Sequence, residues 1–174
     1  MTDLEKLKYP VGKFNKPENI SPEMLKDYIS VIESFPQGIR QEVESLTEQQ
    51  LSNTYRPEGW TIRQLVHHCA DSHQNAFTRF KLALTENQPT IKPYMEALWA
   101  ELADSELPVE PSLKILEGLH LRWTVLLKSM SPEDFQKSFM HPEHNRLFLL
   151  EESLALYAWH CRHHLEHIRL AKGE

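Results

Sequence analysis

The chain has 174 residues, 40% hydrophobic and 25% charged, with a formal net charge of −6 and a pI near 5.9. That length buries a core without disulfide staples, and the acidic balance excludes the clustered Lys and Arg of a nucleic-acid surface. Five glycines against eleven prolines point to helices separated by Pro-marked turns rather than a glycine-rich nucleotide fold.

Cys69 and Cys161 stand alone, outside any CxxC pattern, which fits a reducing cytosol better than a disulfide framework. The start of the chain has no apolar leader, and no later run reaches membrane-spanning length. The expectation is one soluble cytoplasmic domain over residues 1–174, with no nucleic-acid or membrane partner.

Residues 1–20 carry Pro10, Gly12 and Pro17 and read as an extended arm. Ser21-Pro22 gives an N-cap followed by proline at the first helical position, opening a helix to about Phe35. A second helical piece follows Pro36 to about Leu46, and Thr47 with Gln50 forms a capping box for a short turn of helix. After the loop Tyr55–Trp60, Thr61 and Gln64 form another capping box. The helix they open runs to about Thr85 on an apolar stripe that includes Leu65, Val66, Cys69, His73, Phe77 and Phe80.

Residues 86–111 contain four prolines and read as a long connection with a short helix in it, long enough to cap a cleft. A helix from about Ser112 to Met130 buries Leu116, His120, Trp123 and Leu127. Ser131-Pro132 starts a short helix, and residues 138–148 read as an irregular hairpin-like loop. The last helix covers about Leu149 to Ala171. Four principal amphipathic helices without a convincing run of strands give an all-α helical bundle.

The last helix holds His160, His163, His164 and His167 within eight residues. Residues four apart lie one turn above each other, so His160 with His164, or His163 with His167, can reach one ion. At 100° per residue, His160 and His164 lie on the side where core gives way to cleft, whereas His163 points toward solvent or a partner chain. A third ligand must come from elsewhere, and His67 is the candidate. It lies on a polar line with Asp71, Gln74 and Thr78, which is either groove-facing or plainly solvated. Asp71, one turn from His67, either orients that imidazole or is a solvated acid. His73 and His120 read as hydrogen-bonded core or cleft residues, and Cys161 as a packed thiol that could also oxidise or coordinate beside a ligand. Trp60 and Trp123 read as cleft wall or plain core.

Gly59-Trp60-Thr61-Ile62-Arg63-Gln64-Leu65-Val66-His67-His68, followed by Ala70-Asp71-Ser72-His73, resembles the signature of the DinB-like helical-bundle superfamily. The likeness is closest to its YfiT type, a group of proposed metal-dependent hydrolases related to bacillithiol transferases. Lys8–Phe14, Arg79–Glu86, Ile91–Tyr94, His120–Trp123, His141-Pro142-Glu143 and Tyr157–His160 extend the resemblance over essentially the whole chain.

The resemblance implies an up-and-down four-helix bundle with a long connection between the second and third main helices, and a cytoplasmic homodimer. It also implies one divalent ion per subunit, zinc or nickel, held by His67, His160 and His164. Such an ion can activate water toward a carbonyl, or bind a low-molecular-weight thiol such as bacillithiol as the attacking thiolate. The substrate in either case is a small electrophile. The competing function is a non-catalytic metal- or small-ligand-binding bundle.

Overall fold

The computed structural model describes residues 3–173; Met1, Thr2 and Glu174, which the expected arm and domain include, lie outside the described residues. The elements in chain order are α1 (Asp3–Lys8), α2 (Pro22–Val43), α3 (Glu48–Leu51), α4 (Ile62–Thr85), α5 (Glu96–Trp99), a 3-10 turn (Ala103–Glu106), α6 (Glu110–Ser129), α7 (Pro132–Phe135), β1 (Ser138–His141), β2 (Arg146–Leu149) and α8 (Leu150–Lys172). The long helices α2, α4, α6 and α8 form the expected four-helix bundle around Phe35, Phe80, Leu116, Trp123 and Leu154.

Local chemistry sets the starts of α2 and α4, whereas α6 and α8 begin without a side-chain cap. The Ser21 side chain accepts from the Met24 amide, and Thr61 and Gln64 make a reciprocal capping box at α4. Each such cap is worth about 1 kcal/mol. Gly59 precedes α4 in a turn where an added Cβ would lie 2.8 Å from Arg56 Cγ, so the approach to Trp60 is closed to larger residues.

Side-chain contacts fix the path of the chain. Glu33 meets Lys128 and Arg40 meets Glu110, so α2 and α6 are antiparallel. Asp27 meets Arg162 and Glu42 meets Arg169, so α2 and α8 run parallel. In the same way α4 runs parallel to α6, through His67–Ser112 and His73–His120. It runs antiparallel to α8, through His68–His160 and Ser72–Tyr157. Helices α2 and α4 face each other across one diagonal, and α6 and α8 across the other. The directions therefore run up, down, down, up in chain order, so the four-helix bundle is as expected but the simple up-and-down alternation is not.

The parallel α4–α6 pair requires residues 86–109 to travel back along the bundle. Ile91 near the far end of α4 pairs with Met140, and the Ala100 and Leu107 carbonyls accept from Gln64 and Arg63 at its start. The long connection therefore covers a face of α4.

Three local expectations are corrected. The N-terminal arm is not wholly extended, because Asp3–Lys8 forms a helical turn with acidic residues first and basic residues last, the arrangement that suits the helix dipole. Pro36 does not divide the first long helix, and α2 continues through it. The missing proline N–H leaves the Ile32 carbonyl without its helical partner, and the imidazole of His120 on α6 occupies that carbonyl instead. Residues 138–149 form a regular two-stranded antiparallel hairpin, Ser138 opposite Leu149 and His141 opposite Arg146.

Candidate metal centre

Histidines converge where the N-terminal half of α4 meets the middle of α8. His68 Nε2 lies 3.2 Å from His160 Nε2, and His164 completes a group whose donor atoms all lie within 4.8 Å of one another. Two metal–imidazole bonds of about 2.0–2.1 Å at a near-tetrahedral angle hold their nitrogens about 3.3 Å apart, so the His68–His160 pair already stands at chelating distance. Three imidazoles suit zinc, nickel, copper or iron better than magnesium or calcium. The residues present fit a divalent transition-metal ion.

Ligation requires neutral imidazole, and the surroundings supply it. Burial, reinforced by the neighbouring His163, pushes His68 down to about 4. Burial and the adjacent imidazoles also hold His160 and His164 well below the ordinary histidine value. The Trp60 ring lies 4.7 Å from His68, between centroids, and walls one side of the group. His160 is the member of the group that is half-buried rather than buried.

His67, the expected third ligand, is not in this group. Its Nδ1 sits 2.7 Å from the Ser112 hydroxyl of α6 and its Nε2 3.0 Å from the Leu107 carbonyl of the long connection. Both ring nitrogens are therefore engaged away from α8. The polar line on which it lies is neither a groove nor a solvated face at this point, because the connection roofs it. Asp71 makes no hydrogen bond to the ring; it is half-buried, and burial and Asp104 raise its carboxyl above the usual range.

A second histidine group, His163, His164 and His167, shares His164 with the first. The periodicity turns His163 outward, yet it is 7% exposed. Trp159 stacks on it at 4.4 Å, and Tyr9 of the N-terminal arm lies 6.2 Å away. His167 donates from Nε2 to the Lys8 carbonyl and stacks on Tyr55. This second group comes from one helix and lies beneath the arm, whereas the first spans two helices.

The remaining candidates fall into place by burial. Trp123 is core, in contact with His73, His120 and Phe80. Cys161 is fully buried, absent from both histidine groups, and its thiol is pushed well up by burial. Missed from the sequence were His68 as the partner of His160, and a cavity of about 570 Å³ lined by Ser72, Arg79, Tyr94, His141, Glu143 and Tyr157. Ser72 and Tyr157 lie one turn from His68 and His160, so the cavity adjoins the histidine group along the α4–α8 groove. The direction of His68 gives no periodic signal, since α4 is buried on several faces here.

Known proteins bear on this site. Residues 32–168 match the DinB superfamily. A Bacillus cereus protein named "Putative metal-dependent hydrolase" is 51% identical over 93% of both chains. A Bacillus mycoides protein of the same description is 48% identical over 95% of both. The solved structure of YfiT from Bacillus subtilis is described as a probable metal-dependent hydrolase with an unusual four-helix bundle topology. It superposes with a TM-score of 0.93 at 44% identity, over 97% of each chain. A mycothiol-dependent maleylpyruvate isomerase shares the fold alone, at a TM-score of 0.66 and 16% identity, over 83% of this chain and 60% of the other. With its bundle, its histidine group and these relatives, the chain belongs to the DinB superfamily and, within it, to the YfiT type.

Proposed function

We propose that this chain is a metal-dependent enzyme in which His68, His160 and His164 hold one divalent ion, zinc or nickel. The observation that carries the proposal is the group itself: three imidazoles from two helices whose donor atoms lie within 4.8 Å of one another, with His68 and His160 already at chelating distance. Three protein ligands with an open position are the pattern of catalytic rather than structural sites. Such an ion, when bound, lowers the pKa of a coordinated nucleophile, either water or a low-molecular-weight thiol such as bacillithiol.

The protein's own part is to exclude bulk water and to place the electrophile. Trp60 shields the histidines, and the adjoining cavity offers Arg79, Tyr94 and His141 to a small polar substrate. Among the described residues no helix is long and apolar enough to cross a membrane; a cytoplasmic location is inferred from the two free cysteines. We also infer a homodimer. Leu121 and Val125, one turn apart on α6, are 70% and 65% exposed and offer an apolar strip to a second copy.

The test is elemental analysis of untagged protein, followed by assays on activated esters and alkylating electrophiles with and without thiol. The expected result is about one ion per chain and turnover that chelators abolish. Turnover that depends on thiol identifies an S-transferase, and turnover in water alone a hydrolase. Failure to take up zinc or nickel would overturn the enzyme and leave a helical binding module.

A further inference from the structure

Two buried histidines outside the ligand group, His73 on α4 and His120 on α6, are 0% and 1% exposed. They connect to that group by short contacts in one line. His120 Nδ1 is 2.5 Å from the Ile32 carbonyl, His120 Nε2 is 2.7 Å from His73 Nδ1, and His73 Nε2 is 3.0 Å from His160 Nδ1. The line ends at His160 Nε2, which faces His68.

The direction of every hydrogen bond in this line follows from its first member. A carbonyl only accepts, so His120 must carry its proton on Nδ1. A neutral imidazole has one N–H, so His120 Nε2 is then an acceptor and His73 must donate from Nδ1. By the same step His73 Nε2 accepts, and His160 must donate from Nδ1. His160 Nε2 is thereby left with a bare lone pair.

The origin of the order lies in α2. Pro36 supplies no N–H to Ile32, the residue four positions earlier, and its ring crowds that carbonyl. The carbonyl is thus free for His120. An ordinary residue at position 36 would offer it a helical amide instead.

Resting on the metal site proposed above, we propose that Pro36, Ile32, His120 and His73 form a tautomer-setting line that presents His160 Nε2 to the ion as a pre-formed ligand. His73 and His120 are positioning residues: neither belongs to the ligand group, and both act through His160. The line also ties α2 and α6 to a centre whose ligands all lie on α4 and α8. An imidazole that ligates a metal ordinarily gives its other N–H to a carboxylate, carbonyl or water; here a chain of two further imidazoles takes that place.

The test begins with the metal-free protein, labelled with nitrogen-15, whose long-range proton–nitrogen spectra distinguish the two imidazole tautomers. His120, His73 and His160 are all expected in the Nδ1–H form, the minority form of free neutral histidine. A wild-type spectrum with His160 in the Nε2–H form overturns the proposal without any variant. His73→Leu, which removes the acceptor for His160, is expected to shift His160 to the Nε2–H form and to weaken zinc binding about 10–100-fold. His73→Gln, which retains an amide oxygen as acceptor, is expected to recover most of that affinity.

A folded His73→Leu protein with an unchanged His160 tautomer and unchanged zinc affinity overturns the proposal. Zinc binding by the wild-type protein with His160 in the wrong tautomer removes only this inference. Absence of zinc binding removes the metal reading and this one together. Competition with a chromophoric chelator gives the affinity without reference to turnover.

Discussion

His67 and His68, neighbours in the chain, turn to different walls of the bundle: His67 to Ser112 of α6, His68 to His160 of α8. Successive residues on a helix are separated by about 100°, so they cannot both face α8. Substitution of each by alanine separates their roles. His68→Ala is expected to bring bound metal from about one ion per chain to near zero, with little loss of melting temperature in the metal-free protein. His67→Ala is expected to retain the metal and to lose about 1–3 kcal/mol, because the Ser112 hydroxyl and Leu107 carbonyl lose a buried partner. Parallel metal analysis and denaturant unfolding check both, and metal loss in His67→Ala alone would reverse the assignment.

Glu152 is 1% exposed and paired with Arg146 of the hairpin and Lys16 of the N-terminal arm. Burial opposes its ionisation, but the two cations prevail and its carboxyl lies below the usual value of 4.5. A depressed folded-state pKa means that the charged form is favoured by folding. Its contribution is therefore complete above the unfolded value and fades as pH falls through the folded one. Stability of the wild-type protein should drop below about pH 4.5, and Glu152→Gln should flatten that part of the curve. At neutral pH the variant is expected to lose about 1–3 kcal/mol, as for a hydrogen bond to a charged group. Urea midpoints across pH provide the measurement.

The arm is held by the Trp159 indole N–H, which donates to the Gly12 carbonyl at 3.0 Å, and by Phe14 against the Trp159 ring. Gly12 has φ of 80°, a left-handed conformation, with open space where a Cβ would be. Gly12→Ala should therefore cost about 1–2 kcal/mol through backbone strain alone. Trp159→Phe should cost about 1 kcal/mol for the lost hydrogen bond. Both variants should be cut faster by trypsin at Lys13, as read by mass spectrometry.

Cys69 and Cys161 are both free and fully buried, and burial raises both thiols. A buried protonated thiol is a poor nucleophile. Neither should react with a thiol reagent in the folded protein, and both should react in denaturant. Cys161→Ala should leave metal content unchanged; loss of the ion would give the thiol a role that its burial denies it.

The four helices were legible because their caps and apolar stripes are local signals: Ser21-Pro22 and Thr61 with Gln64 mark starts that the structure reproduces. The continuity of α2 through Pro36 was not, since the compensating donor for Ile32 comes from His120, 88 residues away. His160 and His164 could be placed from the last helix alone. His68 could not, because the start of α4 is covered by α6, α8 and the long connection. A helix enclosed on several sides has no single polar line from which to choose between adjacent histidines. His163 misled for a related reason: its cover is the arm around Tyr9, remote in sequence.

The route of residues 86–109 back along α4 has a kinetic consequence. Parallel helices cannot dock through a tight turn, so α4 and α6 must find each other across a long loop, and α8 arrives later still in sequence. The contacts joining His68, His73 and His120 into one line with His160 span 92, 87 and 47 residues, and such non-local contacts are costly to close early in folding. The group of His68, His160 and His164 is therefore complete only in a bundle that has already assembled. Synthesis of the chain without metal should still yield a protein with this group in place.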